Sequence, residues 1–402
     1  MYAVVTLVGQ GLFLALVALT GMWIARFFRG DNTLGCLIAG ILAGLLLPVF
    51  EFDTGLRYDN IRELVFFLIL PILIFRSAWL IDPRIMRRWL MPVLLLATVG
   101  VVICWLLVAL LTYFGIAHPS GFPWHAALLT GVILAATDPM SVVSKLRQDG
   151  ADENLVALME GESIFNDAAA IVLFTVVLGV ATSGDGAGLG AVSLYFAVIF
   201  LGGIAVGAIC GLLVAIVVLL LRNPAASQIA LVMGAIGSFY LAEHLAGVSG
   251  IMSVMVCAII ARVCLHEHRQ AFLKHTSVTW EWLGLLFEAL VFVIMGLAIT
   301  FGMFETHWLA MLIAIAATLL ARTVAIFALT PASNLVGRPV PLGWKWVMIW
   351  GGLRGVIAIA LVLSLPVDLP YWYTVQSMVF GVVLFSVLVQ GTSTGLLIKK
   401  AA

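Results

Sequence analysis

Apolar runs of about twenty residues follow one another along this chain with only short polar breaks, and a helix of that length spans the roughly 30 Å hydrocarbon core of a bilayer. Thirteen runs are legible, near 3–25, 33–50, 61–81, 91–116, 123–147, 154–182, 189–221, 226–245, 248–266, 279–301, 307–333, 341–364 and 372–398. Hydrocarbon offers the backbone no partners, so each run must close its hydrogen bonds within a helix. A β-barrel is excluded because its strands alternate in polarity over about ten residues. The expected fold is an all-α polytopic membrane protein of about 13 transmembrane helices. The seventh run can be one tilted helix or two short segments, so twelve or fourteen spans stand as alternatives. Of 402 residues, 63% are hydrophobic and 10% charged, a balance foreign to soluble domains.

Loop charges orient these runs. Arg26, Arg29, Arg84, Arg87, Arg88, Lys145, Arg147, Arg222, Arg262, Arg269, Lys274, Arg338, Lys345, Lys399 and Lys400 follow odd-numbered spans, whereas only Arg57 and Arg62 follow even-numbered ones. Basic loops stay cytoplasmic, which predicts an external N-terminus and a cytoplasmic C-terminus. The chain ends two residues after Lys400, so the expectation is a single membrane domain over 1–402 with no cytosolic regulatory domain. His266 to Lys274 reads as a short cytoplasmic connector, a candidate interfacial helix. The first run lacks a basic leader and a cleavage site and is expected to remain as a span. Twenty acidic and twenty basic residues cancel, so no nucleic-acid partner is expected. The five cysteines, Cys36, Cys104, Cys210, Cys257 and Cys264, lack metal-ligand spacing and read as small buried hydrophobes. No cofactor is expected.

Setting aside loop charges leaves a short list within the spans, Asp138, Glu162, Asp167 and Glu288 against Arg76, Arg322 and Arg354; Glu160, Glu243 and Glu281 lie nearer span ends and are not placed. A carboxylate at a helix centre costs roughly 2.5–3.5 kcal/mol on insertion scales, which makes it an ion or proton site by default. Pro139 lacks an amide hydrogen and disfavours helical geometry at Asp138. The helix should therefore break around Thr137-Asp138 and free carbonyls in mid-membrane, a device secondary transporters use to coordinate cations. The alternative is a plain proline kink capped by Asp138. In the next run Ser163 and Asp167 share one helical face, and Glu162 and Asn166 share another roughly 100° round. Such oxygen donors suit a hard cation; a buried network that only fixes packing is the alternative. Arg354 lies among Gly351, Gly352 and Gly355, where a helix can break, and Glu162 with Asn166 offers it a partner. Arg76, Arg322 and Glu288, in three different spans, read as a second, structural ion-pair cluster.

Two patterns carry no function. Gly247-Val248-Ser249-Gly250 has the form of an intramembrane serine protease motif, but the later histidines His266, His268, His275 and His307 fall at loops or span edges. An enzyme is not expected. Gly184-Asp185-Gly186-Ala187-Gly188 reads as an external loop.

Thr137-Asp138-Pro139, Glu160-Gly161-Glu162-Ser163 followed by Asn166-Asp167, and Gly351-Gly352-Leu353-Arg354-Gly355 resemble the NhaP-type sodium/proton antiporters of the cation/proton antiporter superfamily. The likeness spans essentially the whole chain. It implies an NhaA-like antiporter fold of inverted repeats with two crossed, discontinuous helices, a mobile six-helix core, and a homodimer in the inner membrane of a prokaryote. It further implies that Asp138, Asp167, Ser163, Glu162 and the backbone of Thr137 bind Na⁺ or Li⁺, and that Arg354 pairs with Glu162 and Asn166. The Asn-Asp pair resembles the electroneutral branch, which exchanges one sodium for one proton at a shared carboxylate site. A K⁺/H⁺ exchanger using the same site and a cation channel are the alternatives. Family members generally carry an acid where Arg76 stands and often an amide where Glu288 stands, so Arg76 and Glu288 are expected to form a compensating pair.

Overall fold

The computed structural model describes residues 2–28, 31–50, 55, 58–81, 83–116, 121–183, 189–221, 223–266, 270–335 and 339–395, and all regular structure among them is helical. In chain order the α-helices are α1 (Tyr2–Phe28), α2 (Asn32–Val49), α3 (Tyr58–Leu64), α4 (Leu70–Leu80), α5 (Pro83–Leu95), α6 (Val101–Gly115), α7 (Trp124–Ala135), α8 (Met140–Gln148) and α9 (Glu153–Ser183). They continue as α10 (Leu189–Leu221), α11 (Pro224–Tyr240), α12 (Gly250–His266), α13 (Gln270–Ala298), α14 (Phe301–Leu335), α15 (Leu342–Trp350), α16 (Val356–Leu363) and α17 (Trp372–Phe385). Single π-helical turns at Val65–Ile69 and Leu96–Gly100 join α3 to α4 and α5 to α6 without a break; two more extend α11 and α17.

Among the described residues, eleven helices are long and apolar enough to cross a membrane. The other two apolar runs are the shorter α12 and the interrupted pair α15/α16. The seventh run is one 33-residue helix rather than two segments. In the expected cytoplasmic connector, residues 267–269 lie outside the described set, and Gln270 already begins α13. The loop from Gly184 to Gly188 also lies outside it, as do the terminal lysines Lys399 and Lys400.

Packing sorts the helices into two groups. One gathers α5–α6, α7/α8, α9, α14, α15/α16 and α17; the other gathers α1, α2, α3–α4, α10, α11, α12 and α13. The first group is six segments in two trios, each a continuous helix, a broken helix and a second continuous helix. Along the thirteen apolar runs the second trio starts seven after the first. An odd offset is what the expected inverted repeat requires. Within the second trio α16 is buried along its whole length, an apolar plug (Val-Ile-Ala-Ile-Ala-Leu-Val-Leu) at the centre of the protein.

Lipid tails are as apolar as leucine, so helices associate through close packing of small residues rather than through water release. Gly203, Gly207 and Gly211 form one stripe of α10, and a Cβ on any of them would strike the backbone of α12 at Ser249, Ser253 or Cys257. Gly40 and Gly296 meet in the same way where α2 crosses α13. We predict that Gly207→Leu, which must force α10 away from Ser253, destabilises the protein by about 1–3 kcal/mol. A lowered midpoint of heat-induced loss of the monodisperse species in detergent checks this; an unchanged midpoint contradicts the packing.

Candidate ion-binding site

Two broken helices meet at the centre of the first group. Between α7 and α8 the chain leaves helical geometry, with Ala136 extended (ψ 139°) and Pro139 entering α8. Between α15 and α16 it does so again from Gly351 to Gly355. The breaks bond directly to one another: the Asp138 N–H donates to the Leu353 carbonyl at 2.8 Å. The sequence expectation of a break at Thr137-Asp138 is met, and it is more than a kink, because three residues between Ala135 and Pro139 lie outside any helix.

The Asp138 carboxylate sits at the start of both half-helices. It accepts the Met140 N–H at 3.2 Å, on α8, and the Val356 N–H on α16. These amides are among the unsatisfied donors that begin a helix, where partial positive charge collects. Gly355 makes this approach available, since a Cβ there would lie 2.5 Å from Asp138 Oδ2.

The unbroken α9 lies against the crossing and presents the two faces expected of it. Ser163 Oγ donates to the Thr137 carbonyl at 2.8 Å, and Asn166 Nδ2 donates to Thr137 Oγ1 at 3.1 Å. Asp167, one turn beyond Ser163, is different. Its Oδ1 is buried and has no hydrogen-bond partner among the described residues. Asp138, Ser163 and Asp167 line a common cavity of about 230 Å³, which runs between α4, α13 and α9 toward Arg147 and Glu160. A second cavity, of about 660 Å³, reaches Asp138 from the side of Asp31, Lys145 and Gln148. Among the described residues no three His, Cys, Asp or Glu side chains converge as a metal site. The oxygen set here is two carboxylates and a hydroxyl.

The structure corrects the ion pairing. Arg354 does not pair with Glu162 or Asn166. Its Nε donates to the Leu134 carbonyl at 2.9 Å and its Nη1 to the Gly352 carbonyl, so it caps carbonyls released by both breaks. Its own peptide is anchored by Ser386 Oγ at 3.2 Å, and Gln390 holds Ser386 and the Trp350 carbonyl. Glu162 is instead taken by Arg322 of α14 through both carboxylate oxygens, one at 2.7 Å and one closer still. A guanidinium fork matches a carboxylate in this bidentate way. Gly352 leaves the room, since a Cβ there would lie 2.8 Å from Arg322 Nε. With both oxygens engaged and only 2% exposed, Glu162 is not placed as a cation ligand. Arg322 accordingly leaves the second cluster, which reduces to Arg76 and Glu288, paired at 3.2 Å as expected. Glu160, unplaced by sequence, pairs with Arg147 at 2.7 Å.

Sequence reasoning missed Ser386 and Gln390. Two buried polar residues four apart in the final span were the available signal, though Gln376, Ser377 and Thr394 are buried there as well. Ser249 of the protease-like motif accepts the Met252 N–H at 3.2 Å and so caps α12.

Removing one member of a buried ion pair strands the other, at a cost of about 3–5 kcal/mol, whereas replacing both is far milder. We predict that Arg322→Met and Glu162→Gln each lower thermal stability in detergent and that the double variant recovers much of the loss. The corresponding Arg354/Glu162 cycle should be additive. Coupling in the second cycle but not the first would contradict these pairings.

Comparison with known proteins accords with this architecture. The family described as "Sodium/hydrogen exchanger, transmembrane" matches residues 12–400. The chain is 34% identical over 351 residues to the low-affinity Na⁺/H⁺ antiporter NhaS1 of Synechocystis, covering 84% of this chain and 64% of that protein's length. It is 29% identical over 417 residues to the Na⁺/H⁺ antiporter NhaP of Pseudomonas aeruginosa, covering 96% and 95%. The structure of the sodium proton antiporter MjNhaP1 from Methanocaldococcus jannaschii at pH 8 superposes with a TM-score of 0.85 at 21% identity, over 100% of this chain and 99% of that one. With its fold, its crossed helix breaks and a family match along nearly its full length, the chain belongs to the transmembrane sodium/hydrogen exchanger family.

Proposed function

We propose that this protein exchanges sodium ions for protons, one for one, at a single site built on Asp167. The observation that carries this reading is the unpartnered Oδ1 of Asp167 beside Ser163 and Asp138 in the 230 Å³ cavity. A buried carboxylate without a partner is unstable as a bare charge. A proton or a sodium ion relieves it equally, and each excludes the other. The Na⁺/H⁺ antiporter activity named for NhaS1 and NhaP supports the same reading.

Transport then follows from access. Both cavities open beside Lys145 or Arg147, at the end where basic loops collect, and the positive-inside rule makes that end cytoplasmic. The N-terminus is then external, the C-terminus cytoplasmic, and the structure inward-facing. The apolar α16 seals the opposite side. Rocking of the six-segment group against the rest would carry the neutralised site past that seal, with the second group as the static part of a homodimer in a prokaryotic inner membrane. The region from 1 to 402 acts as one transport domain.

In proteoliposomes with an internal pH dye, an imposed sodium gradient is expected to move protons without response to a potassium–valinomycin voltage, and Asp167→Asn is expected to abolish this. Because the proton competes, the sodium KM should rise about tenfold for each pH unit below the site's pKa. Sodium-driven proton flux surviving in Asp167→Asn would refute the assignment. Titration with lithium and potassium reads the selectivity directly.

A further inference from the structure

Arg76 crosses from α4 to α13 into a seat made for it. Its stem lies on Gly284, where a Cβ would collide with the Arg76 side chain. Its Nη1 reaches Glu288 Oε2 at 3.2 Å. Gly284 and Glu288 are four residues apart and share one face of α13, so the helix supplies a groove for the stem and an acceptor for the head. An ion pair serving only to pack helices would lie in a dry seam, as Arg322–Glu162 does at 5% and 2% exposure. Arg76 and Glu288 are 13% and 18% exposed. Both line both cavities, and so does Asp138. A fixed guanidinium thus stands on each route a cation takes to the site.

We propose that the Arg76–Glu288 pair sets the cation affinity of the site. Arg76 is a tethered positive charge that weakens cation binding at Asp138 and Asp167, and Glu288 moderates it by holding the guanidinium against α13. Both are positioning residues that act through the field in the cavity. The inference rests on the antiport reading above. Charge matters here because cavity walls of low polarity strengthen interactions that bulk water would mute. Removing Arg76 leaves Glu288 unopposed and should tighten sodium binding, while removing Glu288 leaves Arg76 unopposed and should weaken it. A purely structural pair would give losses of the same kind from either side.

The test compares wild type, Arg76→Gln, Arg76→Lys, Glu288→Gln and the double Gln variant at alkaline pH. Sodium KM is read from exchange in proteoliposomes, and sodium binding is read independently from the sodium-dependent thermal shift in detergent. Arg76→Gln should lower KM and Glu288→Gln should raise it, each by roughly three- to tenfold for a unit charge at this range. The double variant should return toward wild type, and Arg76→Lys, which keeps the charge, should restore KM relative to Arg76→Gln. Shifts of the same sign in both single variants, or a fall in maximal rate with KM and binding unchanged, overturn the proposal. If Arg76→Gln does not fold, Gly284→Ala carries the test: it pushes the guanidinium off its seat toward the cavity and should raise KM, and an unchanged KM overturns the proposal. Failure of the antiport reading looks different, since wild type would then lack exchange or Asp167→Asn would retain it.

Discussion

Two stretches of non-helical backbone cross at the centre of a protein whose surroundings offer no water, and every polar group there needs a partner. Asp138 supplies acceptors for the amides that open α8 and α16. Arg354 supplies donors for the carbonyls at Leu134 and Gly352 that the breaks release. The crossing is thereby stabilised by one anion and one cation that never need to meet. Arg322 and Glu162 close a separate, dry pair between α14 and α9, and Arg76 and Glu288 close another at the cavity wall. After these assignments Asp167 is, among the described residues, the one acid that holds a buried oxygen without a partner.

This distribution connects stability to transport. Asp138 and Arg354 tie the two breaks to each other and to their half-helices, so in the proposed cycle they move as one rigid body with the two trios. The unengaged oxygen is the one that can exchange partners during a cycle. The same group carries the buried, apolar α16, so in the proposed cycle the sealing segment and the proposed ion-binding residue travel together. A charge that is left bare makes that movement costly, while a proton or a cation removes the cost. Coupling then needs no separate gate residue.

Much of this was legible in the chain, and the exceptions have a common cause. Pro139 after Asp138 reports a break because proline acts locally, and the four-residue spacing of Ser163 and Asp167 reports a shared face because helical pitch is local too. The partner of Glu162 was not legible. Two intramembrane arginines, Arg322 and Arg354, were both chemically suitable, and the choice depends on which helix passes nearby. Gly352 held the clue, since it clears space for Arg322, but a glycine does not say what fills the room it leaves. Arg354, assigned by resemblance to a carboxylate, is instead satisfied by carbonyls, acceptors that every residue carries and that no sequence pattern marks. The pair Arg76–Glu288 was legible because the two residues are complementary departures from the family pattern. Among the described residues eleven of the thirteen apolar runs are long and apolar enough to cross a membrane, and the other two are the shorter α12 and the broken α15/α16.

The central claim is that one carboxylate holds either a proton or a sodium ion. Proton release on sodium addition, followed with a pH dye in weakly buffered detergent solution of purified protein, tests it most directly. The account predicts close to one proton released per sodium bound, at a pH where the site starts protonated, and none from a protein whose Asp167 is replaced by Asn. Sodium binding without proton release in the intact protein would contradict it.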